Sequence, residues 1–125
     1  MSQHSGLTAE RWATFSRPKR LLMIANEMNR AGRFDTPEGL PHRRLGYERV
    51  LRLLDLTVQV DPRPTLRREL LRWRDLVAEM YVSAQPELSR HRDVFRALLL
   101  LHPESAAQIP HVPRGCGATW RDRGR

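Results

Sequence analysis

Few residues in this chain have types and spacing that suit chemistry. Arg96 and His102 stand six positions apart near the end of the last predicted helix, and His91 and Arg92 precede them by a few residues. Arginine suits phosphate recognition because its guanidinium group is planar and permanently charged. Cys116 is the one cysteine, which excludes an internal disulfide and a cysteine-based zinc site. The sequence contains no P-loop, no dinucleotide-type glycine pattern and no Gly-x-Ser-x-Gly motif.

The pair Arg96 and His102 resembles the Arg-x4-6-His pattern of the HEPN ribonucleases, which are helical bundles that act as dimers. The resemblance implies an enzyme in which this pair serves phosphate binding and 2′-hydroxyl chemistry. Here Ala97 replaces the polar residue that commonly follows the arginine, and the two side chains lie about 120° apart on a helical wheel. In the other interpretation His102 caps a helix C-terminus, where a partly positive imidazole suits the helix dipole. The leading interpretation assigns no catalytic residue.

Length and composition indicate a single soluble globular domain. The chain has 125 residues, of which 40% are hydrophobic and 29% charged. No apolar run approaches the ~20 residues of a membrane span, and the N-terminal residues lack the apolar stretch of a signal peptide. These features predict a cytoplasmic protein without a membrane partner.

The formal net charge of +8 favours an acidic partner, either RNA or DNA. All but one of the 22 basic residues are arginines, a bias that a GC-rich genome also produces. The excess is spread evenly along the chain, so a basic patch has to be assembled by the fold. The candidate nucleic-acid contacts are Arg63, Arg67, Arg74, Arg114, Arg121, Arg123 and Arg125.

Apolar residues recur at helical spacing in four stretches that follow a short helical turn over 9–15. Thr8 is expected to cap the short turn and Ser16 the helix that follows it. The four predicted helices span 17–31, 42–60, 65–84 and 87–102, and Asp61-Pro62-Arg63-Pro64 forms a tight corner after the second. Short connections between them predict an all-α, up-and-down antiparallel four-helix bundle over residues 1–102. Residues 103–125 contain three prolines and three glycines without periodicity, which predicts an irregular basic tail.

The stretch 45–60 carries the widest apolar arc, and the rest of the fold is predicted around it. The arc fills about half of a helical wheel, which is enough to contact two neighbouring helices. Gly46 and Thr57 are its small members, so a neighbouring backbone is expected to approach closely there. In the following helix, Trp73 lies in the middle of the core arc.

Two of the predicted helices carry a second apolar line besides the core arc. The line on the second predicted helix consists of Leu45 and Leu56, beside Arg49. The line on the third predicted helix consists of Leu71, Ala78 and Val82, which recur at helical spacing. Such residues are either single exposed apolar side chains or a surface for a partner. Arginines at the margins favour the second interpretation, because arginine is enriched at interfaces. The predicted partner interface consists of Leu45, Arg49, Leu56, Leu71, Ala78 and Val82.

The run ERVLRLLDLT…DPR…LRRELLRWRDLVAEMYV resembles a family of small bacterial helical-bundle proteins of unassigned function, over about residues 12–82. In size, basicity and helix pattern the chain is also similar to the accessory proteins of diversity-generating retroelements. Those are basic helical bundles that oligomerise and bind reverse transcriptase and nucleic acid. The resemblance implies a fold and a type of partner but no catalytic residue.

Three functional hypotheses follow. The first is a non-enzymatic accessory protein that oligomerises or docks on a protein partner and contacts nucleic acid through arginines. The second is a HEPN-like ribonuclease that uses Arg96 and His102, and the third is a homo-oligomeric scaffold without nucleic acid. No cofactor is predicted, and no metal either, because no glutamate has the histidine three residues later that di-metal bundles use.

Overall fold

In the computed structural model, which describes residues 6–84 and 87–101, all regular structure of the described chain is helical. Its α-helices are α1 (Ala9–Ala13), α2 (Arg17–Gly32), α3 (Leu40–Val60), α4 (Pro64–Val82) and α5 (Leu88–Leu99). A 3-10 turn, Pro37–Gly39, leads into α3. The predicted all-α class is therefore confirmed for these residues. The predicted tail, 103–125, lies outside them.

The helix starts follow from local sequence chemistry. Thr8 caps α1 by accepting a hydrogen bond from the backbone N–H of Arg11, and Ser16 caps α2 by accepting from that of Lys19. Proline occupies the first turn of α2, α3 and α4, where its missing N–H is not needed. The caps at Thr8 and Ser16 were predicted and are confirmed. The ends of α4 and α5 come two to three residues before the predicted ends.

Helix α3 is the centre of the packing. It contacts α1, α2 and α4, while α5 contacts α2 and α4. At the crossing with α2, a Cβ placed on Gly46 would stand 2.7 Å from the Cβ of Ala31, so glycine permits the close approach. Against α1, Thr57 accepts a hydrogen bond from the indole N–H of Trp12 at 2.9 Å. The expectation that Gly46 and Thr57 mark close contacts is confirmed.

Trp73 joins α4 to α5 inside the core. Its side chain is 3% exposed, and its indole N–H donates to the carbonyl of Val94 at 2.6 Å. The predicted core position of Trp73 is confirmed.

Over the residues that the structure describes, no helix combines the length and the apolar character of a membrane span.

Leu56 is a core residue, and the prediction that it lies outside the core is wrong. Its side chain is 8% exposed and belongs to the main hydrophobic cluster. The helical wheel predicted two neighbouring helices for α3, but α3 contacts a third helix, α1, as well as α2 and α4. One turn before Leu56, Arg52 donates to the carbonyl of Leu7, so the segment before α1 reaches this side of α3. Leu7 itself packs against the core.

Candidate nucleic-acid interface and neighbouring polar sites

Two arginine guanidinium groups and one arginine backbone N–H contact Asp61 where α3 ends and α4 begins. The buried carboxylate has its Oδ2 atom 2.7 Å from Nε of Arg17 and 3.6 Å from Nη2 of Arg20. Its Oδ1 atom accepts the backbone N–H of Arg63 at 3.0 Å. Arg67 follows one helical turn after Arg63. We call Arg17, Arg20, Arg63 and Arg67 the basic corner.

The sequence Asp61-Pro62-Arg63-Pro64 builds this corner. Asp61 ends α3 in an extended conformation, which is the conformation that a following proline favours. Its side chain then binds the backbone N–H two residues later, as aspartate does in tight turns. Pro64 opens α4 immediately afterwards. The carboxylate is thus fixed by the turn and placed beside the first turn of α2.

The arginines keep Asp61 ionised despite its burial. Burial by itself raises the pKa of Asp61, but the hydrogen bonds from Arg17 and the Arg63 backbone, with the charges of Arg17 and Arg20, outweigh it and hold the pKa below its usual value. The same hydrogen bond raises the pKa of Arg17, whereas burial lowers the pKa of Arg20. One carboxylate charge therefore stands against two nearby guanidinium charges.

The structure brings together only part of the predicted nucleic-acid set. Arg63 and Arg67 are exposed at the basic corner. Arg74 lies farther along α4 and donates to Asp55 at 2.8 and 3.5 Å, so its charge is offset within the chain. The other four predicted contacts, Arg114, Arg121, Arg123 and Arg125, lie outside the described residues. Arg17 and Arg20 were missed, because only the fold shows that they share Asp61.

The predicted partner interface lies on two helices, and its α3 members, Leu45, Arg49 and Leu56, line one groove. On α4 the second apolar line is exposed, with Leu71 at 45% and Val82 at 76%, and Ala78 half-buried between them. We call Leu71, Ala78 and Val82 the α4 line. On α3, Leu45 is 50% exposed, whereas Leu56 is buried as described above. Arg49 is half-buried and donates to Glu27 at 2.7 Å, so it holds α3 to α2.

A buried polar chain links α3, α5 and α2 at the other end of α2. The carbonyl of Met28 can only accept, so Nε2 of His91 donates to it at 2.9 Å. Nδ1 of His91 then accepts from the hydroxyl of Tyr47 at 2.9 Å. Nε of Arg43 donates to the same hydroxyl oxygen at 2.8 Å. Every polar atom of the His91 ring is used, which indicates a structural role.

His91 is neutral in this setting. Burial first, and then the charges of Arg43 and Arg92, lower its pKa to about 4, although the hydrogen bond to Met28 acts in the opposite direction. Burial likewise raises the pKa of Tyr47. A Cβ on Gly32 would meet Nε2 of His91 at 2.8 Å, so this glycine makes room for the ring. The sequence placed His91 near Arg96 but gave no signal for these partners.

Of the ribonuclease pair Arg96 and His102, only Arg96 is among the described residues. Arg96 is half-buried in the last turn of α5. His102 lies outside the described residues, so the distance between the two side chains is not defined. The ribonuclease alternative therefore stays a prediction.

The chain matches no family model, no curated protein and no solved structure. The resemblances to small bacterial helical proteins and to retroelement accessory proteins stay predictions. What the chain does is therefore inferred from its own geometry and charge.

Proposed function

We propose that this chain is a non-enzymatic helical module that binds nucleic acid through the basic corner. The observation that supports this most is the exposure of Arg63 and Arg67 in the segment that follows Asp61, whose carboxylate Arg17 and Arg20 already share. A guanidinium group binds phosphate oxygens with two parallel hydrogen bonds. The first turns of α2 and α4 add the partial positive charge of helix N-termini.

We further propose that α2 to α5 form an up-and-down antiparallel bundle of a cytoplasmic protein. Two ion pairs, Arg17 with Asp61 and Glu27 with Arg49, support opposite directions for α2 and α3. Trp73 with Val94 and Glu79 with Arg90 support the same for α4 and α5. In such a bundle the chain leaves α5 at the end that carries the basic corner. The arginines after residue 102 stay candidates for nucleic-acid contact and are tested separately below.

The proposal is tested by the fluorescence anisotropy of labelled RNA and DNA oligonucleotides. Arg63→Gln together with Arg67→Gln removes both exposed guanidinium groups of α4 and should weaken binding at least about tenfold. The matched control is Arg72→Gln together with Arg90→Gln, which removes two exposed arginines elsewhere and should change affinity less than about twofold. Equal losses in the two double variants would contradict a localised interface.

The tail arginines are tested separately. Arg114, Arg121, Arg123 and Arg125, all changed to glutamine, should weaken oligonucleotide binding while circular dichroism keeps the wild-type helical signal. RNA cleavage that disappears when Arg96 and His102 are changed to alanine would instead favour the ribonuclease alternative. Unchanged affinity without these four arginines would remove the tail from the proposed interface.

A second candidate function is self-association through the α4 line. Leu71 and Val82 are large exposed apolar side chains on one face of α4. The charge order on α4 fits a second copy, because Arg68 precedes Leu71 and Asp75 follows it, both exposed. Two α4 helices related by a two-fold axis perpendicular to them would run antiparallel and bring Arg68 of each copy toward Asp75 of the other.

Sedimentation velocity tests this association. Leu71→Asp should convert a dimer to a monomer with unchanged helical content, because a charge cannot be buried between two copies without a partner. Leu100→Asp is the matched control, since Leu100 is 61% exposed but lies after α5. A monomeric wild-type protein, or an equal effect of both substitutions, would contradict the second function.

A further inference from the structure

Arg92 is a mostly buried arginine that forms no ion pair with another described residue. The residue is 8% exposed, and its Nε atom has no hydrogen-bond partner. Among residues 6–84 and 87–101, no carboxylate lies within ion-pair distance of its guanidinium group. A charge held away from water is unfavourable unless a counter-charge or hydrogen bonds accompany it. Arg43, which is also buried, differs because it donates to Tyr47 and to the carbonyl of Glu87.

Arg92 lines a cleft between the last turn of α2 and the first turns of α5. The cleft has a volume of about 210 Å³. Leu88 and Phe95 give it apolar walls, and the His91 ring lies beside Phe95 with its polar atoms already bonded. This combination of apolar walls and a buried cation is typical of a small-ligand site.

The first residue of α5 belongs to the lining of the same cleft. That residue is Leu88, and the helix that it begins has 12 residues. Glu87 precedes it, and its side chain makes no capping hydrogen bond. The first N–H groups of a helix have no partner within the helix and carry partial positive charge, which favours an anion. Two independent features, Arg92 and this helix end, thus point to the same ligand chemistry.

We propose that this cleft binds a small organic carboxylate with a compact apolar body. The carboxylate accepts hydrogen bonds from Arg92 and from the first turn of α5, while the body packs between Leu88 and Phe95. Arg33 adds a second cation to the lining, and Asp35 adds an acid that disfavours ligands with several negative charges. A cavity of ~150 Å³ admits benzene, so this cleft is large enough for an aromatic or branched aliphatic carboxylate.

The cleft is distinct from the basic corner. The two sites lie at opposite ends of α2, about 20 Å apart along the helix axis. The corner presents the exposed Arg63 and Arg67, as a polyanion requires, whereas the cleft holds the mostly buried Arg92 next to apolar walls. A ligand of the cleft is therefore not expected to compete directly with nucleic acid.

The test is an NMR titration of the full isotope-labelled chain with sodium benzoate and, separately, with its neutral counterpart benzamide. Benzoate should shift the Nε–H signal of Arg92 and the backbone amides of Gly32 and Leu88. Benzamide should bind at least about tenfold more weakly, because charge-assisted hydrogen bonds to Arg92 are lost. Equal binding of the two compounds, or no shift at these residues, would overturn the proposal without any variant.

Two variants and a second anion sharpen the test. Arg92→Gln should bind benzoate at least about tenfold more weakly and remain folded, since it removes a buried unpaired charge. Arg72→Gln, on the surface of α4, should keep wild-type affinity. The carboxylate assignment would be overturned if inorganic phosphate bound as tightly as benzoate, if an oligonucleotide shifted the cleft signals, or if Arg92→Gln kept full affinity. If Arg92→Gln does not fold, the comparison of benzoate with benzamide decides.

Discussion

A buried ionisable residue lies at each end of α2, and one of the two is charged whereas the other is neutral. At the first end Asp61 is charged, lies in the interior, and is surrounded by Arg17 and Arg20. At the other end His91 is neutral, with hydrogen bonds to Tyr47 and Met28. The first arrangement leaves positive charge at the surface, whereas the second completes every hydrogen bond of the ring inside.

This difference teaches that burial alone does not identify a functional group. His91 is buried to 2% exposure, yet its bonding explains it fully as a structural residue. The exposed arginines near Asp61 have no such structural explanation, so they are candidates for an external partner. Arg92 combines both conditions, because it is buried like His91 but lacks partners. The predictions for His91 and Asp61 below measure how differently the two ends respond, and those for Trp73 and Arg74 provide a larger and a smaller effect for comparison.

The largest effect is expected between the ends, in the apolar core. Trp73→Ala should lower the free energy of unfolding by about 4 kcal/mol, because it removes a large buried side chain and its hydrogen bond to Val94. Chemical denaturation followed by circular dichroism measures the change. A loss under about 1 kcal/mol would contradict the central place of Trp73 in the core.

Acid should lower the free energy of unfolding through the protonation of His91. The pKa of His91 is about 4 in the fold against 6.5 for a free histidine. Between these two pH values the unfolded chain binds a proton at His91 that the folded chain does not bind. The stability that depends on neutral His91 is complete above pH 6.5 and decreases by up to about 3 kcal/mol as the pH falls to 4. Unfolding curves across this range measure it. His91→Gln should remove most of the decline, and an identical pH profile for this variant would contradict the account.

At the basic corner, Asp61→Asn should move stability and binding in opposite directions. The substitution should lower the free energy of unfolding by about 2 kcal/mol, less than for a fully buried pair because Arg17 is partly exposed. It also removes the negative charge beside the arginines, so oligonucleotide affinity should rise. Denaturation and anisotropy measure the two effects. Weaker nucleic-acid binding by the folded variant would contradict the proposed electrostatics.

The smallest effect concerns Arg74. Its ion pair with Asp55 is exposed, so Arg74→Gln should change the free energy of unfolding by about 0.5 kcal/mol. The same variant should weaken oligonucleotide binding less than Arg63→Gln does, because the charge of Arg74 is already offset. Stability and anisotropy measurements on the two single variants decide the order. A larger loss of oligonucleotide affinity for Arg74→Gln than for Arg63→Gln would place the interface farther along α4.

Local chemistry was enough to predict much of the fold. The caps at Thr8 and Ser16, the proline corner after α3 and the core position of Trp73 all follow from residues within a few turns of one another. Leu56 could not be placed in the same way, because its burial depends on packing between elements that the spacing within α3 does not reveal.

The candidate sites depend on contacts that sequence spacing does not reveal. Asp61 and Arg17 are separated by 44 positions, and His91 and Met28 by 63. Sequence reasoning therefore selected Arg63 and Arg67, which are near the corner in sequence, but missed Arg17 and Arg20. It also grouped Arg92 with Arg96 by proximity in sequence, although the cleft that Arg92 lines is formed with α2.

The salt dependence of oligonucleotide binding tests the central claim most directly. Affinity should fall steeply between about 50 and 200 mM salt, because cations released from phosphates drive the association. In a plot of log affinity against log salt, Arg63→Gln with Arg67→Gln should reduce the slope by about 2, while Arg72→Gln with Arg90→Gln leaves it unchanged. Binding that ignores salt, or equal slopes for the wild type and the corner variant, would contradict a nucleic-acid interface at the basic corner.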